Sequence, residues 1–370
     1  MLAFEIPASR LTEPLQLVLR ATATRDLVPA LTGILIEAQD DRLSLTGTDF
    51  DLGLRMTVDA KVTSPGRTLI PARSLAELVR RITPSSMVEV KAVDGKATMR
   101  FGKSRFDLPT LIDADYPQVD FGEAPIGDGK TLKTAALRHV LGRVTYAAAQ
   151  RDDSLPILLG IKVSFSSDGH LEVCASDNFR LAWAQTATEA SGLNAEVVVK
   201  ARALSEMVRS LPEEDVQVAL SDRQMFFRSG SVAGFCQRVE GQFPDHRKLV
   251  KDSYETTMQV QVADVIQAAE RATLATDVRS PQVILRAGED GVSLSAESAE
   301  MGSAYEDIAA TWSGAPVEIA FNPKFLIDAL KNAGADAVEI GFNGPLSAAR
   351  LQPSEAPGDH LALVLPIRRM

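Results

Sequence analysis

Hydrophobic and polar positions along the chain follow a helical pattern in some segments and a strand pattern in others, and the two alternate over the whole chain. Leu11, Leu15 and Val18 recur at the spacing of one helical face. Residues 42–46 instead alternate between polar and apolar side chains, as expected of a strand with one face in water. The helical pattern predicts six helices, at residues 8–25, 71–84, 134–151, 200–212, 262–279 and 322–334. With strands between them, the pattern predicts an α+β fold in which helices cover antiparallel sheets.

The same order of elements occurs three times along the sequence. A strand that ends in a polar turn recurs at residues 45–49, 173–177 and 294–298. The helices that follow also repeat their charges, as Arg73, Glu77 and Arg80, then Arg202, Glu206 and Arg209, then Lys324, Asp328 and Lys331. Such a long repeat indicates one small domain used three times rather than a solenoid. The predicted domains are residues 1–121, 122–250 and 251–370.

The first helix of each copy carries a predicted buried stripe. The stripe comprises Leu11, Leu15, Val18 and Leu19 in copy one, Leu137, Val140, Leu141 and Val144 in copy two, and Val265, Ile266, Ala269 and Leu274 in copy three. Arginines such as Arg10 and Arg138 lie off these stripes. The helices are therefore predicted to pack with one apolar face and to present cations on another.

Composition sets broad limits on the class of protein. The chain has 370 residues, of which 45% are hydrophobic, enough to fill the cores of two or three domains. No apolar run is long enough for an ordinary membrane span, and the first residues do not read as a signal peptide. Cys174 and Cys236 both fall in strand-like segments, which favours two buried thiols over a disulfide. A cytoplasmic protein with no membrane partner is expected.

Charge is distributed unevenly between the predicted helices and the remainder of the chain. The net charge is −10, which argues against simple nucleic-acid binding. The six predicted helices nevertheless have a balance of +9, and everything else has a balance of −19. Helix propensity alone would favour Glu as much as Arg on these segments. The distribution instead indicates one surface for a polyanion and another that repels it.

No convincing catalytic or metal-binding motif is present. The four histidines have no metal-type spacing with each other or with the cysteines, so no metal or cofactor is expected. Residues 127–131 resemble the end of a phosphate loop, but its first glycine would fall at Ala124. A flexible linker is the favoured interpretation of that segment. The acidic pairs at residues 49 and 51 and at 152 and 153 are better explained as turn caps and solvated loop charges than as catalytic pairs.

The three basic, two-helix copies resemble the bacterial DNA polymerase III beta subunit family, the sliding clamps. The most specific segments are residues 43–49, 175–181, 242–245 and 364–368, which occur in the order and at the spacing of that family. The resemblance implies a head-to-tail homodimer in which six domains form a ring. Helices would line the pore, and basic side chains would hold the phosphates of encircled double-stranded DNA without reading its bases. It also implies a non-enzymatic processivity factor whose partners are the DNA polymerase III alpha subunit, the clamp loader, and other polymerases and repair proteins.

Specific residues follow from this resemblance, and the basic helix positions agree with it. The predicted DNA-binding residues are Arg20, Arg25, Arg73, Arg80, Arg138, Arg143, Lys200, Arg202, Arg209, Lys324 and Lys331. The resemblance supplies a partner-peptide pocket of Leu158, Ser176, Phe179, Arg180, Leu181, Pro244, Lys248, Leu249, Leu346, Ala348, Leu363, Val364, Leu365, Pro366 and Ile367. The apolar run at the chain end supports this pocket, and Pro366 should end the last strand there. Phe106 and Leu274 are the predicted dimer contacts, although Leu274 could instead be a core residue.

Some positions depart from the family pattern, and other functions compete with this one. Phe179, Ser176 and Leu155 replace a common histidine, threonine and arginine of the family, which affects the details of the pocket. The main alternative is an enzyme with an active site at a junction between the repeats. An enzyme would be expected to concentrate polar groups in one copy, whereas the basic positions here are shared by all three. A monomeric peptide-binding scaffold would leave the basic helices unexplained.

Overall fold

The computed structural model describes residues 1–24, 28–122, 129–150, 155–190 and 193–368. Within these ranges, six α-helices lie where the sequence predicts them. They are α1 (Ala8–Leu19), α2 (Ala72–Arg80), α3 (Thr134–Val144), α4 (Ala201–Ser210), α5 (Val262–Thr273) and α6 (Pro323–Lys331). The first five begin directly after a strand, and α6 begins one residue after β23, with Asn322 between them. Pro7 and Pro71 precede the first two helices. Every helix is shorter than its predicted range, so several flanking cations lie beyond the helix ends.

Residues Met1–Leu137 and Arg202–Arg238 form one compact unit with two antiparallel sheets. In spatial order, the first sheet consists of β5 (Lys61–Ser64), β1 (Leu2–Pro7), β7 (Met87–Val93), β8 (Lys96–Phe101) and β9 (Ser104–Pro109). The second consists of β10 (Lys130–Lys133), β15 (Asp215–Leu220), β16 (Gln224–Ser229), β17 (Val232–Gln237), β4 (Leu52–Asp59), β3 (Arg42–Thr48), β2 (Gly33–Gln39) and β6 (Gly66–Pro71). Helices α1 and α2 pack against each other, and α1 also contacts β3 and β4.

Residues Arg138–Ala201 and Val239–Met370 form the other compact unit, again with two antiparallel sheets. One consists of β14 (Ala195–Lys200), β11 (Gly160–Phe165), β12 (His170–Ser176), β13 (Arg180–Ala187), β26 (His360–Val364), β25 (Ala349–Pro353), β24 (Ala337–Phe342), β18 (Thr256–Gln261) and β22 (Ala310–Gly314). The other consists of β21 (Gly302–Ile308), β20 (Gly291–Ser298), β19 (Val283–Gly288) and β23 (Val317–Phe321). Helices α5 and α6 pack against each other over these strands.

Copy two divides its strands between the two units. Strands β10 and β15–β17 extend the copy-one sheet, because β17 pairs with β4 and places Phe235 opposite Gly53. Strands β11–β14 extend the copy-three sheet, because β13 pairs with β26. The compact units therefore do not coincide with the three copies, and the domain bounds remain a prediction.

The predicted buried stripes are confirmed except at Leu19 of copy one, which is half-buried, and in part of copy three. Val265 and Ala269 are buried there and Ile266 is half-buried, but Leu274 is 74% exposed. The core role considered for Leu274 is wrong because α5 ends at Thr273, and Leu274 is the residue that caps it. The helical periodicity therefore does not continue to this side chain.

The structure also tests the cysteine and phosphate-loop interpretations. Cys174 and Cys236 are both buried and unbonded, and burial raises the pKa of the Cys174 thiol to about 12. Gly127 and Asp128 lie outside the described residues, but Lys130 is the first residue of β10. Since a phosphate loop leads into a helix rather than a strand, the phosphate-loop interpretation is wrong.

Within the described ranges, no cluster of His, Cys, Asp and Glu could hold a metal ion, and no helix is long and apolar enough to cross a membrane.

Candidate partner pocket and nucleic-acid interface

A tight turn between β12 and β13 positions Phe179, the aromatic residue of the predicted pocket. Asp177 Oδ1 accepts hydrogen bonds from the backbone N–H groups of Phe179 and Arg180, both at 3.0 Å. Ser176 Oγ donates to the Arg180 carbonyl at 2.9 Å. Asn178 has φ of 73°, a left-handed conformation that Asn tolerates better than most residues. These bonds leave Phe179 59% exposed, with its ring 6.1 Å from that of Phe325.

Arg180 supports this turn from inside. Its Nε donates to Asp177 Oδ2 at 2.9 Å and its Nη1 donates to Asp328 Oδ2 at 2.7 Å. The guanidinium lies 4.6 Å from the Phe325 ring centre and 5.4 Å from that of Tyr146. Burial, the largest influence, raises the pKa of the Tyr146 phenol. Arg180 is itself only 7% exposed, so within the predicted pocket it supports the turn from below the surface.

An apolar floor lies beside the turn. Leu158, Leu181 and Leu363 are all buried and belong to one hydrophobic cluster, against which Ala348 packs. Leu181 faces Leu363 across the β13–β26 ladder, so the floor joins strands of copies two and three. These four residues of the predicted pocket therefore lie together, and their role in binding a partner stays a prediction.

The rim of this floor carries large apolar side chains in contact with water. Phe179, Leu249, Leu346 and Leu365 are between 42% and 67% exposed. Pro244 and Lys248 are also exposed, and Lys248 Nζ lies 3.7 Å from Asp245 Oδ2. Large exposed apolar groups around an apolar floor are typical of a surface that binds another molecule.

The end of the chain runs beside this rim after strand β26 ends. Strand β26 ends at Val364, two residues before Pro366, and the Leu365 N–H then donates to the Phe179 carbonyl at 2.8 Å. The Ile367 N–H donates to the Ala320 carbonyl at 2.7 Å, which leaves the side chain half-buried. Val364 is fully buried in the copy-three core. Its predicted place among the pocket-lining side chains is therefore wrong, because its side chain points into that core.

The sequence did not identify three residues that hold the pocket together. Asp177, Asp328 and Tyr146 surround Arg180, although none was predicted to belong to the pocket. The available signals were the repeated polar turn, to which Asp177 belongs, and the repeated acidic position of the second helix in each copy, to which Asp328 belongs. The second signal gives no indication of a partner 148 residues away.

Most predicted DNA-binding cations are exposed but ion-paired. Glu206 binds both Arg20 and Arg209, at 3.0 and 3.1 Å. The remaining pairs are Arg202 with Asp49, Lys324 with Asp328 at 2.6 Å, Lys331 with Glu270 at 2.7 Å, and Arg73 with Glu77 at 4.0 Å. Arg80 is exposed, whereas Arg138, Arg143 and Lys200 are half-buried. Arg25 lies outside the described residues. Exposed pairs of this kind are weak, so phosphates could compete for these cations.

The observed helix ends reduce the charge contrast without reversing it. The six helices contain ten basic and six acidic residues, a balance of +4 rather than +9. Helix α5 is acidic, with Asp264 and Glu270 against Arg271. Flanking residues such as Arg20 and Lys200 supplied the remainder of the predicted excess, because they lie just outside the helices. The sign of the predicted charge distribution therefore holds, but its size was overestimated.

The two predicted dimer contacts lie at exposed positions, each within its own unit. Phe106 is on β9, the edge strand of the five-stranded sheet, and is 46% exposed with its ring stacked 5.7 Å from Phe101. Leu274 caps α5, which packs against the edge strand β21. Unpaired strand edges with exposed apolar neighbours are suited to pairing with another chain.

Comparison with known proteins identifies the family. The N-terminal, central and C-terminal domain models of the DNA polymerase III beta subunit match residues 2–120, 131–245 and 247–368. The beta sliding clamp homolog GriR of Streptomyces muensis is 30% identical over 99% of both chains, and the beta sliding clamp of Staphylococcus epidermidis is 28% identical over the whole of both. The solved DNA polymerase sliding clamp from Bacillus subtilis is 26% identical and superposes over the full length of both chains with a TM-score of 0.92. The chain therefore belongs to the DNA polymerase III beta subunit family, the sliding clamps.

Proposed function

We propose that two copies of this chain close head to tail around duplex DNA and act as a non-catalytic processivity factor in the cytoplasm. Family membership and the basic balance of the helices support this proposal. Each chain contains three repeated domains, with predicted bounds of 1–121, 122–250 and 251–370. Two chains would therefore place six domains around the DNA. The alternative of an enzyme with an active site between repeats gains no support from the family match.

The dimer would form where two strand edges meet. Strands β9 and β21 each end a sheet, with Phe106 on one and Leu274 beside the other. Arg271 donates two hydrogen bonds to the Glu306 carboxylate on β21, from Nε to Oε1 at 2.8 Å and from Nη2 to Oε2 at 2.6 Å. This ion pair would fix the position of β21 against α5. Pairing of β9 with β21 of a second copy would cover both apolar side chains and both edges.

The second part of the proposal concerns partner proteins. An extended peptide with a Leu or Phe anchor would bury its side chains on the floor formed by Leu158, Leu181 and Leu363. The exposed apolar rim around a buried apolar floor is the single observation that carries this assignment. Each buried anchor contributes on the order of 1.5–3 kcal/mol, which suits partners that exchange. The DNA polymerase III alpha subunit, the clamp loader, and other polymerases and repair proteins are the proposed partners.

Truncation of the chain tests the pocket. A chain that ends after Val364 keeps β26 but loses Leu365, Pro366 and Ile367, so it should bind a polymerase C-terminal peptide at least tenfold more weakly. A chain that ends after Arg368 is the matched control and should bind normally. Binding is measured by fluorescence anisotropy, and circular dichroism and light scattering establish that both chains are folded and dimeric. Equal affinity of the two chains would contradict this location for the pocket.

A further inference from the structure

A separate cleft of about 670 Å³ lies in the first compact unit, between the N-terminal end of α1, strand β4 and the β16–β17 hairpin. Its charged lining consists of four arginines and two acidic residues, which gives a local balance of +2 in a chain of net charge −10. These residues are Arg10, Arg42, Arg55, Arg228, Glu13 and Asp59. None of them belongs to the predicted partner pocket, DNA-binding set or dimer contact.

Two of the four guanidinium groups are held in place by the same short segment. Arg55 lies 4.6 Å from the centre of the Phe121 ring, and Arg228 Nη2 donates to the Gly122 carbonyl at 2.9 Å. Phe121 is itself buried, with its ring 6.0 Å from that of Phe235. Guanidinium groups fixed in this way lose less conformational freedom when an anion binds. The cleft is therefore more than a group of mobile surface arginines.

The remaining lining indicates which anion fits. Hydroxyl groups of Ser9, Thr57 and Ser231 accompany the arginines, and guanidinium and hydroxyl donors together suit phosphate oxygens. Among the apolar lining residues, Pro14, Val232 and Ala233 are buried and Val58 is half-buried, so the cleft offers a peptide no large exposed apolar surface on which to anchor side chains. The volume is in the range of a drug-sized ligand, larger than one phosphate but too small for a duplex.

We propose that this arginine cleft binds a single-stranded nucleic-acid segment through two consecutive phosphodiester groups. Two phosphodiesters carry two negative charges, which matches the local balance of +2. No aromatic ring is among the lining residues, so bases would not stack there and binding would not depend on sequence. The cleft lies at the opposite end of α1 from Arg20, roughly 15 Å away along the helix. It is thus distant from Arg20, and none of its lining residues is among those proposed to contact encircled duplex DNA.

Salt-dependent binding of a short oligothymidylate is the first test. The Arg10→Gln, Arg228→Gln double variant removes two exposed cations of the cleft. The matched control is Arg67→Gln, Lys96→Gln, which removes two ion-paired cations elsewhere in the same unit. For single strands, each phosphate contact contributes about 0.7 to the slope of log affinity against log salt. The cleft variant should lower the slope by about 1.4 relative to the control, and equal slopes would overturn the proposal.

A thiol-protection experiment locates the bound strand. Both natural cysteines are buried with raised pKa values, so maleimide would label an introduced Ser231→Cys at the cleft selectively. Oligothymidylate should slow this labelling at least fivefold and leave the exposed Ser253→Cys control unchanged. Protection by hexaglutamate but not by oligothymidylate would assign the cleft to acidic peptides and overturn the proposal, as would no protection by either. Neither test requires a closed ring, so failure here is distinguishable from failure of the proposed function.

Discussion

Asp177 and Asp49 hold equivalent turns in copies two and one, but only Asp177 lies at the proposed partner pocket. In each turn the carboxylate Oδ1 accepts two backbone N–H groups, and Oδ2 binds an arginine. The preceding hydroxyl, Thr48 or Ser176, donates to a carbonyl four residues later. The repeat therefore supplies an internal control for the function of a single residue.

We expect Asp177→Ala to lower the free energy of unfolding by about 1–3 kcal/mol, because two backbone donors lose their charged acceptor. It should also weaken binding of the polymerase peptide at least tenfold, since Phe179 is no longer held. Asp49→Ala should cost similar stability and leave peptide affinity unchanged. Denaturant titration and fluorescence anisotropy measure the two effects. Equal losses of affinity in both variants would indicate a general folding defect instead.

His360 makes stability depend on pH at the residue scale. Its Nδ1 lies 2.7 Å from the Trp183 carbonyl, and burial, the main cause, lowers its pKa to about 4. The unfolded chain takes up this proton near pH 6.5 and the folded chain only near pH 4, so acid favours unfolding across that window. Stability should be full above pH 6.5 and fall by about 3 kcal/mol between pH 6.5 and 4.

The His360→Asn variant tests this assignment. Asn can donate to the Trp183 carbonyl from nearly the same position but does not titrate. Denaturant unfolding of this variant at several pH values should give a shallower decline over the same window. A residual slope is expected, since burial also lowers the pKa of His246, whose ring lies 5.7 Å from that of Trp183. A decline as steep as that of the wild type would contradict the role given to His360.

At the scale of elements, strand pairing between copies depends on close backbone approach. A Cβ atom on Gly53 would lie 2.0 Å from the Phe235 ring, and one on Gly234 would lie 2.4 Å from Met207 Sδ. We expect Gly53→Ala to lower the free energy of unfolding by about 1–3 kcal/mol through overpacking at the β4–β17 pair. Gly142→Ala on α3 meets nothing within 4 Å and should stabilise the chain by up to about 1 kcal/mol. Denaturant titration compares the two, and a neutral Gly53→Ala would contradict this packing.

The elements themselves could largely be predicted from sequence, because their signals are local. All six helices follow from apolar periodicity, yet α1 ends at Leu19 rather than residue 25 and α5 ends before Leu274. Helix ends depend on capping geometry that periodicity does not contain. The pairing of β17 with β4 could not be predicted, because the paired residues are far apart in sequence. No local sequence pattern indicates which strand pairs with which. The Asp328–Arg180 pair escaped prediction for the same reason.

At the scale of the whole molecule, we expect the dimer to depend on Phe106 and Leu274. Both are exposed in the single chain, so each gains burial only on association. The Phe106→Ala, Leu274→Ala double variant should be monomeric at low micromolar concentration by light scattering, with unchanged circular dichroism. Phe50→Ala removes a comparably exposed side chain, 54% accessible, from the turn between β3 and β4, and serves as the control because it lies on neither edge strand. A double variant that remains a dimer would count against this interface.

We propose that the chain holds DNA by encircling it rather than by binding it tightly. The helix cations are mostly paired with acidic residues, and exposed ion pairs of this kind give weak contacts that salt screens. The most direct measurement loads the protein onto nicked circular DNA with a clamp loader, washes with 0.5 M NaCl, and then linearises half of the sample. A ring should remain on the circles and leave the linear molecules by sliding off their ends. Equal loss from circular and linear DNA would show that the protein does not encircle its DNA.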